Sequence, residues 1–178
     1  EFYENSYENV HRGMNSLSID ATDQFERTRE SVKEFINAKS TNEVIFTRGA
    51  TDSLNIIANS ITSKFEDSGE ILVTELEHHS NYLPWMNICK NSNLELKIIP
   101  VNQNGIIDEQ QIIDSCNKKT KIIAITHMSN VTGQILDIKK IKNHISKDIL
   151  ISLDGCQSIA HCDIDVQDLD CDFYSFSS

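Results

Sequence analysis

Hydrophobic periodicity in this chain switches repeatedly between two kinds of segment, and that alternation constrains the fold more than any other feature. Short β-branched runs fall at residues 43–47, 71–74, 94–100, 121–126 and 149–153, each about the length of one buried strand. Helical patterns separate several of them, at 22–38, 51–65, 83–91, 109–116 and 138–146. In the first of these, Phe25, Thr28, Val32, Phe35 and Ile36 share one face, and Asp20 is the expected N-cap, with Thr22 competing for that place. Strands joined by helices and buried on both sides form a parallel sheet. The expected fold class is therefore α/β, in three layers, a mostly parallel sheet with helices on both faces. Two prolines, no Gly/Ser-rich linker and no internal repeat leave one domain over the 178 residues.

A formal net charge of −11 argues against a nucleic-acid partner, since nothing here neutralises phosphates cooperatively. The basic runs at Lys118, Lys119 and Lys121 and at Lys139, Lys140 and Lys142 read as solvated faces. No apolar stretch approaches the ~18 residues that span a bilayer. The stretch Glu1-Phe2-Tyr3-Glu4-Asn5 has neither the basic nor the apolar region of a signal peptide, and the missing initiator Met suggests a start further upstream. Five cysteines without a CxxC spacing fit reduced thiols better than a disulfide framework. Cys156, His161, Cys162 and Cys171 match no common zinc spacing.

Open α/β sheets bind ligands at the carboxyl ends of their strands, and four loops there are loaded with polar groups. Thr47-Arg48-Gly49-Ala50-Thr51-Asp52-Ser53 runs into a helix, which makes either a capping turn or an anion cradle of backbone N–H groups; it lacks the Walker spacing. Glu75-Leu76-Glu77-His78-His79-Ser80-Asn81 carries adjacent histidines suited to a metal, to stacking on a flat ligand, or simply to a surface loop; Trp85 just beyond reads as core. His127-Met128-Ser129-Asn130-Val131-Thr132-Gly133 is dense in hydrogen-bonding groups. Asp154, in Asp154-Gly155-Cys156-Gln157, ends an apolar strand, where desolvating a carboxylate is costly without a cation. That cation is a metal, a lysine or a protonated heterocycle, and the absence of a DxD spacing weakens the metal.

Taken in order, Val10-His11-Arg12-Gly13, the Thr47–Ser53 loop, Glu77-His78-His79-Ser80-Asn81 with Pro84-Trp85, Thr126–Gly133, Asp154-Gly155-Cys156-Gln157-Ser158 and the final Leu169–Ser177 stretch form a series. The series resembles the class-V branch of fold-type-I pyridoxal-phosphate enzymes, and within it the SufS-type cysteine desulfurases and selenocysteine lyases. The resemblance covers essentially the whole chain. It implies that residues 1–178 are part of the cofactor-binding large domain, with the rest of that domain and the small domain absent. It implies pyridoxal 5'-phosphate as cofactor, with His78 stacked over its ring, Asp154 on the pyridine nitrogen, and Gln157 on the phenolic oxygen. Thr51, Ser177 and the Ala50 backbone would hold the phosphate, and Asn130 would stand near the substrate carboxylate.

The implied activity is removal of sulfur from L-cysteine, leaving alanine and an enzyme persulfide whose sulfur serves iron–sulfur assembly. Selenocysteine, cysteine sulfinate or a kynureninase-like substrate are the alternatives within the class. The resemblance also implies a homodimer, a sulfur-acceptor protein, and a cytoplasmic location, or an organelle if a transit peptide was lost upstream. The family continues after Ser178, itself in a small-residue place, with a His-Lys pair whose lysine carries the cofactor. None of the twelve lysines here matches it, and none of the five cysteines matches the nucleophile. The chain alone is therefore expected to be inactive. Were it complete as it stands, it would be a non-catalytic binding module.

Overall fold

The computed structural model describes residues 7–13, 15–65 and 68–177. The readings made at Glu1–Asn5 and at Ser178 lie outside them. The chain divides into two compact units, Glu1–Ile45 and Phe46–Ser178.

In the first unit α1 spans Ser16–Phe35. Its N-cap is Asn15, whose Oδ1 accepts from the Ser18 amide at 2.8 Å, rather than Asp20 or Thr22. Thr22 is already inside the helix, and its hydroxyl donates back to the Ser18 carbonyl at 2.8 Å. A polar side chain one turn in thus serves the helix wall, while the asparagine outside it takes the orphan amide. The strand expected at 43–47 does not form. A 3-10 turn covers Thr41–Glu43, and Ile45 and Phe46 are exposed. Their β-branched and aromatic character is not matched by a sheet face to bury them, and strand propensity without burial is weak.

The second unit carries the sheet. The helix α2 (Ala50–Ile61) precedes β1 (Gly69–Thr74), α3 (His79–Lys90), β2 (Leu94–Ile99) and α4 (Glu109–Ser115). Then follow β3 (Thr120–Thr126), α5 (Ile138–His144), β4 (Leu150–Asp154), the short helices α6 (Ser158–His161) and α7 (Val166–Leu169), and β5 (Phe173–Ser175). The five strands lie in the order β2-β1-β3-β4-β5, every adjacent pair parallel.

Alternation along the strands feeds two cores. Ile71, Val73, Ile122 and Ala124 face α2 and α3, packing on Ala58, Ile61 and the fully buried Trp85. Leu72, Ile123, Ile125, Ile151 and Leu153 face the other way, onto Ile112 of α4 and Ile138 and Ile141 of α5. Both faces of the sheet are covered, which is why its strands read as nearly unbroken apolar runs. Each such valine, leucine or isoleucine contributes about 1.5–3 kcal/mol on burial. Cys171 packs against the second core, as its place in the sequence suggests.

Candidate functional site

The strand order reverses between β1 and β3, so their carboxyl ends part and leave a crevice. A cleft of about 250 Å3 opens there. Ala50 and Thr51 enter it from the start of α2, His78 and Ser80 from the loop after β1, and Thr126, Met128 and Asn130 from the end of β3 and beyond. Asp154, Cys156 and Gln157 close it after β4, with Ser177 after β5. All seven residues singled out from the sequence, spread from position 50 to 177, meet in this one hollow. A larger hollow of about 650 Å3 lies toward the C-terminal ends of α2 and α3. Its lining includes Asn59, Phe65, Asn91 and Ser92 and, among the described residues, holds no acid, histidine or thiol.

One end of the cleft suits an anion. Gly49 caps α2 with φ at 130°, a conformation that a side chain would strain. The first-turn amides of α2 point out of the helix end with its positive dipole behind them. The Ala50 amide donates to Ser177 Oγ at 2.9 Å, and Thr51 Oγ1 donates to Ser80 Oγ at 3.0 Å. Small hydroxyls therefore ring the amides. Arg48 is turned to Asp52, at 3.0 Å along the helix, and is almost fully exposed.

The other end suits a cation. Asp154 is only 5% exposed, and its Oδ1 accepts from the Cys156 amide at 3.1 Å. Among the described residues no basic side chain pairs with it. A buried carboxylate in that state is stabilised by a positive group brought by a ligand. The Cys156 thiol is pushed up to about 12, by burial first and then by the Asp154 charge, so it is a neutral wall of the cleft and not a thiolate.

The support beneath Asp154 is tightly built. The His127 amide donates to the Asp154 carbonyl at 2.9 Å, and the Gly155 amide to the Ser175 carbonyl at 2.7 Å. Tyr174 packs so close that a Cβ on Gly155 would lie 2.3 Å from its ring. The Tyr174 hydroxyl meets Ser158 Oγ at 2.7 Å and His127 Nδ1 at 3.3 Å. Burial holds the His127 ring below the usual histidine range, hence neutral at pH 7.

His78 is the N-cap of α3, and its Nδ1 accepts from the Ser80 amide at 3.2 Å. An accepting Nδ1 leaves the proton of the neutral ring on Nε2. Ser80 Oγ stands 2.9 Å from the same nitrogen. Ser80 thus ties the His78 ring to Thr51 across the cleft. Asn130 is held on a loop closed by the Met128–Ile135 bridge and by Gly133 at φ 71°. Sequence reasoning did not single out Ser80, Thr126, Met128 or Cys156. For Ser80 the signal was a hydroxyl two positions past a potential capping histidine.

Residues 1–178 match the family model "Aminotransferase class-V". Over 99% of its length the chain is 47% identical to a probable cysteine desulfurase of Staphylococcus epidermidis, covering 43% of that protein. It is 40% identical to a cysteine desulfurase of Pectobacterium atrosepticum, again over 99% of the chain and 44% of the relative. Among solved structures, a cysteine desulfurase from Escherichia coli superposes with a TM-score of 0.86 at 31% identity, over 99% of this chain and 45% of that one. A cysteine desulfurase from Thermococcus onnurineus gives a TM-score of 0.89 at 32% identity, over 99% and 44%. The chain thus spans less than half the length of the curated relatives it matches.

Proposed function

Because the chain belongs to the aminotransferase class-V family, we propose that it is part of the cofactor-binding large domain of a pyridoxal-phosphate-dependent cysteine desulfurase. The observation that carries this reading is the buried Asp154 without a basic partner among the described residues, set in one cleft with the N-terminus of α2. Pyridoxal phosphate is a ligand with a dianion at one end and a protonatable ring nitrogen at the other, and this donor set fits it. When bound, it supplies an electron sink for negative charge developing at the substrate α-carbon.

In this reading Asp154 keeps the ring nitrogen protonated. Each unit by which the carboxylate raises that nitrogen's pKa corresponds to about 1.4 kcal/mol. The α2 amides, with the hydroxyls of Thr51 and Ser177, bind the phosphate. His78 covers one face of the ring, oriented by Ser80, and Gln157 donates to the phenolic oxygen. Asn130 stands toward the substrate carboxylate. Cys156, with its thiol held neutral, excludes water and takes no part in sulfur transfer. The names of the relatives support L-cysteine as the substrate, with alanine as product and sulfur leaving on a cysteine outside this chain. Hand-over to an acceptor protein for iron–sulfur assembly, a homodimeric enzyme and a cytoplasmic location complete the proposal.

The test uses the full-length protein carrying this sequence, loaded with pyridoxal phosphate and given L-cysteine and a thiol reductant. Alanine and sulfide should appear in equal amounts. A protein that binds the cofactor but turns over only another amino acid would place it with a different class-V reaction. One that binds no pyridoxal phosphate at all would end the proposal.

A further inference from the structure

Glu77 is a carboxyl that the reading above leaves without a role. It lies in the loop between β1 and α3, one residue before His78. Its Oε1 accepts from Thr74 Oγ1 at 2.7 Å, at the end of β1, and its Oε2 accepts from Asn81 Nδ2 at 2.6 Å, in the first turn of α3. Asn81 is fully buried and in turn accepts from Trp85 Nε1 at 3.3 Å. The Thr126 amide, at the end of β3, also acts on the Glu77 carboxyl and favours its charged form. Thr126 pairs in register with Asp154 on β4. One carboxyl therefore ties the end of β1 to the helix that presents His78 and is felt by the end of β3, one strand away from Asp154.

We propose that Glu77 is a positioning residue of the cleft, clamping the ends of β1 and β3 to the first turn of α3 so that His78 and Asp154 are held at a fixed separation. The proposal rests on the cofactor reading only for what the cleft holds, not for the clamp itself. The clamp is also charge-sensitive. Burial, and after it the Asp154 charge, raise the carboxyl to about 7 against the hydrogen bonds from Thr74, Asn81 and Thr126. The other titratable groups in its surroundings are His78 and His79, next in the chain, and His127, next after Thr126. Near neutral pH the carboxyl thus exchanges its proton, and Trp85 is coupled to it through Asn81.

Trp85 gives a readout that needs neither cofactor nor turnover. In cofactor-free full-length protein labelled with fluorotryptophan, the fluorine resonance that Trp85→Phe removes should move with pH around 7, and Glu77→Gln should abolish the movement. With cofactor added, Glu77→Gln should bind pyridoxal phosphate within about threefold of wild type. Glu77→Ala should bind it about tenfold more weakly, the size expected for losing a part-buried hydrogen-bonded clamp. A Trp85 resonance that titrates equally in Glu77→Gln, or that does not titrate in wild type, overturns the proposal. So does wild-type affinity in a folded Glu77→Ala. If Glu77→Ala fails to fold, the Glu77→Gln titration decides alone. Failure of wild type to bind pyridoxal phosphate would count against the proposed function, while the cofactor-free titration would still decide for or against the clamp.

Discussion

Gly155 shows how one missing methyl group can fix a site. A Cβ there would lie 2.3 Å from the Tyr174 ring, whose hydroxyl is tethered to Ser158 and His127, so the ring cannot simply step aside. Gly155→Ala should cost about 1–3 kcal/mol by overpacking, read as a lower denaturant midpoint, and should disturb Asp154 next to it. Glu77 makes a second residue-scale prediction. Its carboxyl is raised from the ordinary 4.5 to about 7, so the folded state binds the proton more tightly than the unfolded state does. Its contribution to stability is full below pH 4.5 and is lost as pH rises through 7, by up to about 3 kcal/mol. Glu77→Gln should remove that slope from a plot of unfolding free energy against pH; an unchanged slope would assign it to other groups. The polar residues of the cleft were legible because they stand at strand ends in a recognisable order. Glu77 was not, since a glutamate beside two histidines gives no sign of which of the three turns inward.

At the scale of elements, α2 is where local conformation and ligand binding meet. Gly49 at φ 130° lets the chain turn from the loop into the helix and sets the Ala50 amide against the Ser177 hydroxyl. Gly49→Ala should cost about 1–3 kcal/mol in backbone strain and weaken binding of a phosphate group, measured by inorganic phosphate competing for the cofactor. The inner strands and the helices α2, α4 and α5 were legible because their apolar periods match real burial. In α1, by contrast, the face read from Phe25 to Ile36 leaves Phe35 64% exposed, and the helix buries Ser18 and Ala21 instead. The segment at 43–47 misled for the converse reason: Ile45 and Phe46 have strand character, yet no sheet face covers them. The start of α1 misled because Asp20 and Thr22 are both good caps by type, and only the position of Asn15 outside the first turn decides between them. The helix expected at 109–116 is α4, and its start is fixed by a capping box of Asp108 and Gln111 that sequence reasoning did not single out. Asp108→Ala should lower stability by about 1 kcal/mol, checked by thermal unfolding.

Across the whole sheet, topology does what no single segment could. The order β2-β1-β3-β4-β5 opens one crevice, and the parallel register brings Thr74, Thr126, Asp154 and Ser175 to the same edge. The alternation of periods made the parallel sheet legible, and the polar strand ends made its binding edge legible. The strand order, and with it the place where the crevice opens, was not, because a helical connection between parallel strands does not say on which side of the first strand the next one lies. The account comes down to one buried carboxylate awaiting a cation. The most direct test is Asp154→Asn in the full-length protein, with cofactor content and alanine formation from L-cysteine measured side by side. An amide cannot hold the ring nitrogen protonated, so the rate should fall by about a hundredfold or more while bound phosphate cofactor is largely retained. A variant that makes alanine at the wild-type rate would contradict the role given to Asp154.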